Sequence, residues 1–192
     1  MKVISILGIL LCLAGMATPQ IPGVVGALEI KEFRADLTTA TVIWHLPEPV
    51  NESIALGNPI LRVQGKLDVF FAPFKNPQAN IIKPYGRAPK AADLQKHFMR
   101  HALRGKTETW SNPTTPEVST NERKVSIVRF DFKITGKSGL ITYSYPAKAI
   151  IASGFGEFAY FVLYPSSQKL TAKEFAAGAN SLASDIRLIE RP

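Results

Sequence analysis

The sequence predicts an α+β fold in which helices pack on an antiparallel β-sheet, and three observations lead to it. First, apolar and polar residues alternate in KVSIVRFDFKI, the period of a half-buried strand, with apolar residues at Val128, Phe130, Phe132 and Ile134. Second, the strand-like segments LITYSYPAKAIIAS and FAYFVLYP follow across the turn sequences TGKSG and GFGE. Third, residues 90–104 and 171–187 have the apolar spacing of amphipathic helices.

The first residues have the organisation of a secretory signal peptide. Lys2 gives a positive start, an apolar run extends from residue 3 to residue 13, and the small residues Gly15 and Ala17 fit the cleavage site. The run is shorter than the roughly 20 apolar residues of a membrane span, and a retained signal anchor is the alternative. The sequence thus predicts a signal peptide over residues 1–17, a single α+β domain over residues 18–192, and a periplasmic or secreted location.

Cysteine usage bounds the chemistry of the exported chain. Cys12 is the only cysteine, and it lies within the predicted signal peptide. The mature chain would therefore have no disulfide, no thiolate nucleophile and no cysteine metal ligand. With 46% hydrophobic and 20% charged residues, the composition is that of a globular protein held together by its core.

The elements before the first helix are short. Residues 18–28 form a loose lead-in without a clear period. A strand is predicted over residues 39–46 and ends before Pro47 and Pro49, because proline cannot donate a ladder hydrogen bond. Further short strands are predicted at residues 60–64, 66–72 and 78–83.

Each predicted helix has a recognisable boundary. Pro89 suits the first turn of the helix over residues 90–104 and Gly105 suits its end, with an apolar stripe of Leu94, Phe98 and Ala102. Thr171 and Glu174 form a T-x-x-E capping box at the start of the second helix. We expect both helices to pack on a sheet whose centre is the meander of residues 124–165.

The segments around that meander complete the fold prediction. A polar loop is predicted over residues 108–122, with a short extended segment at its start as the alternative. Pro146 indicates a bulge or an edge position in the second strand of the meander. The face beneath the helices is expected to carry Phe130, Phe132, Tyr160 and Val162.

The segment GFGEFA matches the spaced glycines of dinucleotide-binding loops. Such a loop requires a helix directly after the glycines, whereas the aromatic and β-branched segment FAYFVLYP predicts a strand. Gly154 and Gly156 are therefore interpreted as hairpin residues that supply positive φ angles. We expect no bound nucleotide.

The net charge of +8 is concentrated in one stretch. Between residues 75 and 106 only Asp93 opposes a series of cations. This series is either a solvated helix face or a surface for an acidic partner, and we expect a protein or an anionic membrane rather than nucleic acid. The predicted partner-binding residues are Lys83, Arg87, Lys90, Lys96, Arg100, Arg104 and Lys106.

No catalytic constellation is evident. His97 and His101 are four residues apart on one helix face and could both bind zinc, with His45 or a carboxylate as third ligand. However, HFMRH lacks the glutamate of H-E-x-x-H, and Lys96 and Arg100 would disfavour a cation. We predict no metal, no cofactor and no catalytic residue. A secreted metal-dependent hydrolase that uses His97 and His101 is the alternative.

The order of elements resembles the PsbP-like and DcrB-like proteins. VIWHLPEPV resembles their early strand, FFAPFKNPQANIIK their second pair of strands, KAADLQKHFMRHAL their first main helix, and AKEFAAGANSLASDI their closing helix. The resemblance implies an α-β-α sandwich and an exported, non-enzymatic binding or assembly accessory protein. No functional motif of the family matches, so no residue role is carried over.

Overall fold

The computed structural model describes residues 28–55, 58–63, 66–74, 89–102, 104, 107–120, 125–166, 170–182 and 185–192. Within these residues, one antiparallel sheet of ten strands is accompanied by two helices. The helices are α1 (Ala91–His101) and α2 (Ala172–Leu182). The strands are β1 (Leu28–Asp36), β2 (Ala40–Ala55), β3 (Asn58–Val63), β4 (Leu67–Pro73), β5 (Thr109–Ser111), β6 (Glu117–Thr120), β7 (Ser126–Ser138), β8 (Ile141–Gly154), β9 (Glu157–Pro165) and β10 (Ile186–Glu190). No helix in the described ranges is long and apolar enough to cross a membrane.

The strand order is β1-β2-β3-β4-β9-β8-β7-β5, with β10 paired to β2 and β6 paired to β7. The predicted meander is confirmed, since β7 pairs with β8 and β8 with β9 in antiparallel registers. The predicted GFGE hairpin is confirmed too. Its positive φ angles fall on Phe155 (53°) and Gly156 (77°), the pattern of a type I′ turn, and not on Gly154.

The predicted α+β class, with helices flanking the sheet as an α-β-α sandwich, is wrong. The chain is mostly one large antiparallel sheet, and its helices have only 11 residues each. Strands also occur where none was predicted. β1 follows the predicted lead-in, β6 lies within the loop predicted over residues 108–122, and β10 replaces the end of the helix predicted over residues 171–187. The extended segment considered for the start of that loop is present as β5. In β10, Ile186 and Leu188 are buried and Arg187 is exposed. Buried and exposed side chains thus alternate as in a strand with one face in the core.

The prolines of β2 do not end the strand. Ile30 of β1 pairs with Val50 and Glu32 pairs with His45, so residues 46–49 bulge opposite Lys31. On the other edge, β2 pairs with β10 before this bulge and with β3 after it. Pro47 and Pro49 therefore occupy the point where the strand changes partners and needs no ladder hydrogen bonds.

The sheet curls, and its two faces bury separate cores. Phe33 and Trp44, from β1 and β2, lie against Phe161 of β9 with ring centroids 5.8 and 4.9 Å away, although β3 and β4 separate these strands in the sheet. Phe175 and Leu182 of α2 complete this first core. The second core lies beneath α1 and contains Phe130, Phe132, Tyr160 and Val162. These residues were predicted beneath both helices, but α2 covers the first core instead.

Candidate interaction surface

Helix α1 is fixed in rotation by its apolar side. Phe98 is fully buried and lies 5.3 Å from the ring of Trp110 and 5.4 Å from that of Phe130, between ring centroids. At the N-terminus, the backbone amide of Lys90 donates a hydrogen bond to Asp93 Oδ2 at 2.9 Å. Because these contacts define which side of α1 faces the sheet, the side chains on its opposite side must face solvent.

The solvent side of α1 is basic. We define the basic face as the exposed residues Lys90, Lys96, Arg100 and Arg104. Within the described part of the chain, no ion pair involves any of the four. The structure therefore leaves four of the seven predicted partner-binding residues exposed: Lys90 and two residues of α1, and Arg104 after the end of the helix. Lys83, Arg87 and Lys106 lie outside the described residues.

The rings of His97 and His101 lie against each other, with centroids 4.5 Å apart and planes tilted by 37°. His97 is buried and its ring meets Phe74 edge-on at 5.1 Å, whereas His101 is exposed. Among the described residues, no group of three His, Cys, Asp or Glu side chains could hold a metal ion. Catalytic zinc sites use three protein ligands, so the pair alone falls one ligand short of such a site.

The burial of His97 makes the stability of the protein depend on pH. Desolvation, followed by the neighbouring His101, lowers the pKa of His97 from 6.5 to about 4. The unfolded chain therefore binds a proton as the pH falls through 6.5, while the native protein does not until about pH 4. The stability that this difference in proton binding provides is complete above pH 6.5 and is lost progressively as the pH falls from 6.5 to about 4.

We expect His97→Leu to remove this pH-dependent contribution to stability. The free energy of unfolding of the variant should therefore fall less steeply between pH 6.5 and about 4 than that of the wild type. Urea unfolding at a series of pH values measures both slopes. His101→Gln serves as the companion variant, because removing the neighbouring ring raises the pKa of His97 in the native protein and should narrow the window from its acidic end. Equal slopes in the wild type and His97→Leu would contradict the assignment.

A tyrosine cluster that the sequence did not predict lies on the same face of the sheet. Tyr143 and Tyr145 stack with ring centroids 5.7 Å apart and planes 10° from parallel, and Tyr164 lies 6.2 Å from Tyr145. Tyr143 Oη donates a hydrogen bond to Glu108 Oε1 at 3.3 Å. Burial, with the charges of Glu108 and Asp68, raises the pKa of Tyr145 and of Tyr164, so both phenols stay protonated at neutral pH. The alternation of Tyr143 and Tyr145 with Thr142 and Ser144 could have indicated this cluster.

An open crevice of about 410 Å³ lies beside this cluster, on the edge formed by β7, β8 and the segment after β5. The carboxylate of Asp131, which lines the crevice, already forms an ion pair with Lys148, with 2.7 Å between Oδ1 and Nζ. This arrangement provides no nucleophile activated by a base. The lining residues are Asn112, Thr114, Asp131, Phe132, Lys133, Ser144, Tyr145 and Pro146.

No protein-family model matches the chain, and neither does any curated protein. The resemblance to PsbP-like and DcrB-like proteins therefore stays a prediction, and the sandwich that it implies is not the architecture found.

Proposed function

We propose that this chain is an exported, non-enzymatic binding or assembly accessory protein whose basic face contacts an acidic partner. The observation that carries this proposal is the exposure of Lys90, Lys96, Arg100 and Arg104 without ion pairs among the described residues. Export rests on the sequence of residues 1–17, which lie outside the described part of the chain.

The packing of α1 supports a role in recognition. Phe98 anchors the helix against Trp110 and Phe130, so Lys96 and Arg100 are held on a helix of fixed orientation. Charges held on one side of a protein create a field that accelerates encounter with an oppositely charged partner. Since the Debye length is about 8 Å at physiological ionic strength, this attraction must weaken as salt is added.

Charge reversal tests the proposal. We expect Arg100→Glu/Arg104→Glu to recover fewer partners from envelope extract than the wild type, and to slow association with a recovered partner more than it speeds dissociation. Raising the salt concentration should reduce the difference between the two proteins. Pull-down followed by surface plasmon resonance measures recovery and both rates.

The matched control reverses two exposed lysines elsewhere. Lys31→Glu/Lys173→Glu changes the net charge by the same amount, and both residues lie outside the basic face, on β1 and α2. The control should behave like the wild type. If both double variants lose partners equally, net charge alone is responsible. If neither does, the basic face is only a solvated surface.

A further inference from the structure

The hairpin of β7 and β8 ends in two exposed apolar side chains. The ladder continues to the pair Ser138 and Ile141, and Gly139 takes a φ of 59° at the turn. Leu140 is fully exposed, with 105% of its reference area accessible, and Ile141 is 59% exposed. A turn with glycine at the first central position demands no particular residue at the second, so the turn does not explain a leucine there.

Aromatic residues follow the apolar tip along the same strand. Tyr143 lies two residues after Ile141, and its ring covers Gly136 on the opposite strand so closely that a Cβ there would overlap it. Tyr143 and Tyr145 are both half-buried and stack on each other. Tyrosine combines an apolar ring with a polar hydroxyl, which suits a boundary between water and an apolar phase.

Cations border the same hairpin. Lys133 and Lys137 are exposed on β7, and neither forms an ion pair with another described residue. Thr107 Oγ1 donates a hydrogen bond to the carbonyl of Lys137 at 3.1 Å. Arg104 precedes Thr107 by three residues, a span of roughly 10 Å at most, so the end of the basic face lies beside the hairpin.

We propose that the tip of the β7–β8 hairpin inserts into the interface of an anionic phospholipid bilayer. Leu140 and Ile141 enter the boundary of the acyl chains, Tyr143 lies at the level of the headgroups, and Lys137 contacts lipid phosphates together with the basic face. Along the hairpin, an apolar tip is followed by tyrosines and flanking cations. A bilayer has the same order of layers, from the acyl chains through the interface to the anionic headgroups. This inference rests on the proposed function, since it takes the acidic partner to be lipid.

Vesicle flotation tests the insertion. The wild type should float with vesicles of phosphatidylcholine containing one third phosphatidylglycerol, and should not float with phosphatidylcholine alone. Leu140→Ser/Ile141→Ser should lower the partition coefficient about tenfold or more, because two apolar side chains no longer leave water. All proteins are used in the exported form without residues 1–17, because the apolar run of residues 3–13 would itself partition into both kinds of vesicle.

The control replaces apolar side chains that are exposed elsewhere. Ile54 and Val118 are 45% and 52% exposed, on β2 and β6. Ile54→Ser/Val118→Ser should leave the partition coefficient within about twofold of the wild type, since these side chains lie outside the hairpin tip. A second readout is the emission of Leu140→Trp, which should shift to the blue on addition of the anionic vesicles and stay unchanged with neutral ones.

Two results would overturn the insertion. One is an absence of flotation together with unchanged Leu140→Trp emission, and the other is equal partition of the tip variant and the wild type. Recovery of a protein partner that depends on Arg100 and Arg104 but not on the tip would leave the proposed function standing without the lipid. If Arg100→Glu/Arg104→Glu loses the protein partner but still floats with the vesicles, the basic face takes no part in binding the bilayer.

Discussion

Trp44→Ala is expected to lower the free energy of unfolding by about 3–5 kcal/mol, among the largest effects of any single truncation in this protein. Trp44 is fully buried on β2, and its ring meets Phe161 edge-on at a centroid distance of 4.9 Å. Its Nε1–H donates a hydrogen bond to the carbonyl of Leu182, the last residue of α2, at 2.8 Å. The side chain thus joins two distant parts of the sheet and one helix, and truncation would leave a cavity between them.

Trp44→Phe separates the hydrogen bond from the packing. Phenylalanine keeps most of the apolar contact with Phe161 but leaves the buried carbonyl of Leu182 without its donor, which costs about 1–3 kcal/mol. Urea unfolding with an unchanged m-value measures both variants. Val118→Ala is the control, because that side chain is exposed on β6 and should change stability by less than about 0.5 kcal/mol. A Trp44→Ala protein as stable as this control would contradict the assigned core.

Phe98→Ala is expected to cost about 3–5 kcal/mol in the second core. The ring of Phe98 contacts four others, with centroid distances of 5.3 Å to Trp110, 5.4 Å to Phe130, 5.7 Å to Phe132 and 5.3 Å to Tyr160. It is the main apolar anchor of α1, so its loss should also loosen the basic face and weaken contact with an acidic partner.

A double-mutant cycle tests whether Phe98 and Phe130 act together. Phe130→Ala alone should also cost about 3–5 kcal/mol, since that ring is buried on β7 beneath α1. The double variant should lose about 0.5–1.5 kcal/mol less than the sum of the two single variants, because both single variants remove the same edge-to-face aromatic contact. Strict additivity would show that α1 does not rest on Phe130.

Local patterns in the sequence were sufficient for the meander and for the start of α1, whereas α1 ends at His101 and not near Gly105 as predicted. In β7 the alternation from Val128 to Ile134 is unbroken, and glycine-containing turns separate β7, β8 and β9. The neighbours of each strand in the meander are adjacent in the sequence, so period and turn chemistry contain the needed information. The exposure of Lys96 and Arg100 followed from the same kind of pattern, because both lie on α1 away from its apolar stripe.

Tertiary structure alone decided the rest of the sheet. The pair of Ile186 with Trp44 joins residues at opposite ends of the chain, and it turns the end of a predicted helix into β10. The change of partners along β2 likewise explains why Pro47 and Pro49 are tolerated there. No local period specifies such long-range pairs, so the curled sheet that replaces the helix-flanked sandwich could not be read from the sequence.

The hairpin tip shows the same division between sequence and tertiary structure. The sequence predicts TGKSG as a turn and LITYSYPAKAIIAS as the next strand, although β7 continues to Ser138 and the turn lies at Gly139 and Leu140. An apolar residue in a strand is ordinarily expected to be buried. Whether Leu140 and Ile141 are covered depends on which elements reach the end of the hairpin, and the structure leaves both exposed. The sequence by itself therefore determined the hairpin and the cations, while tertiary structure determined that the apolar tip faces solvent, because burial is a property of the packed elements around a residue.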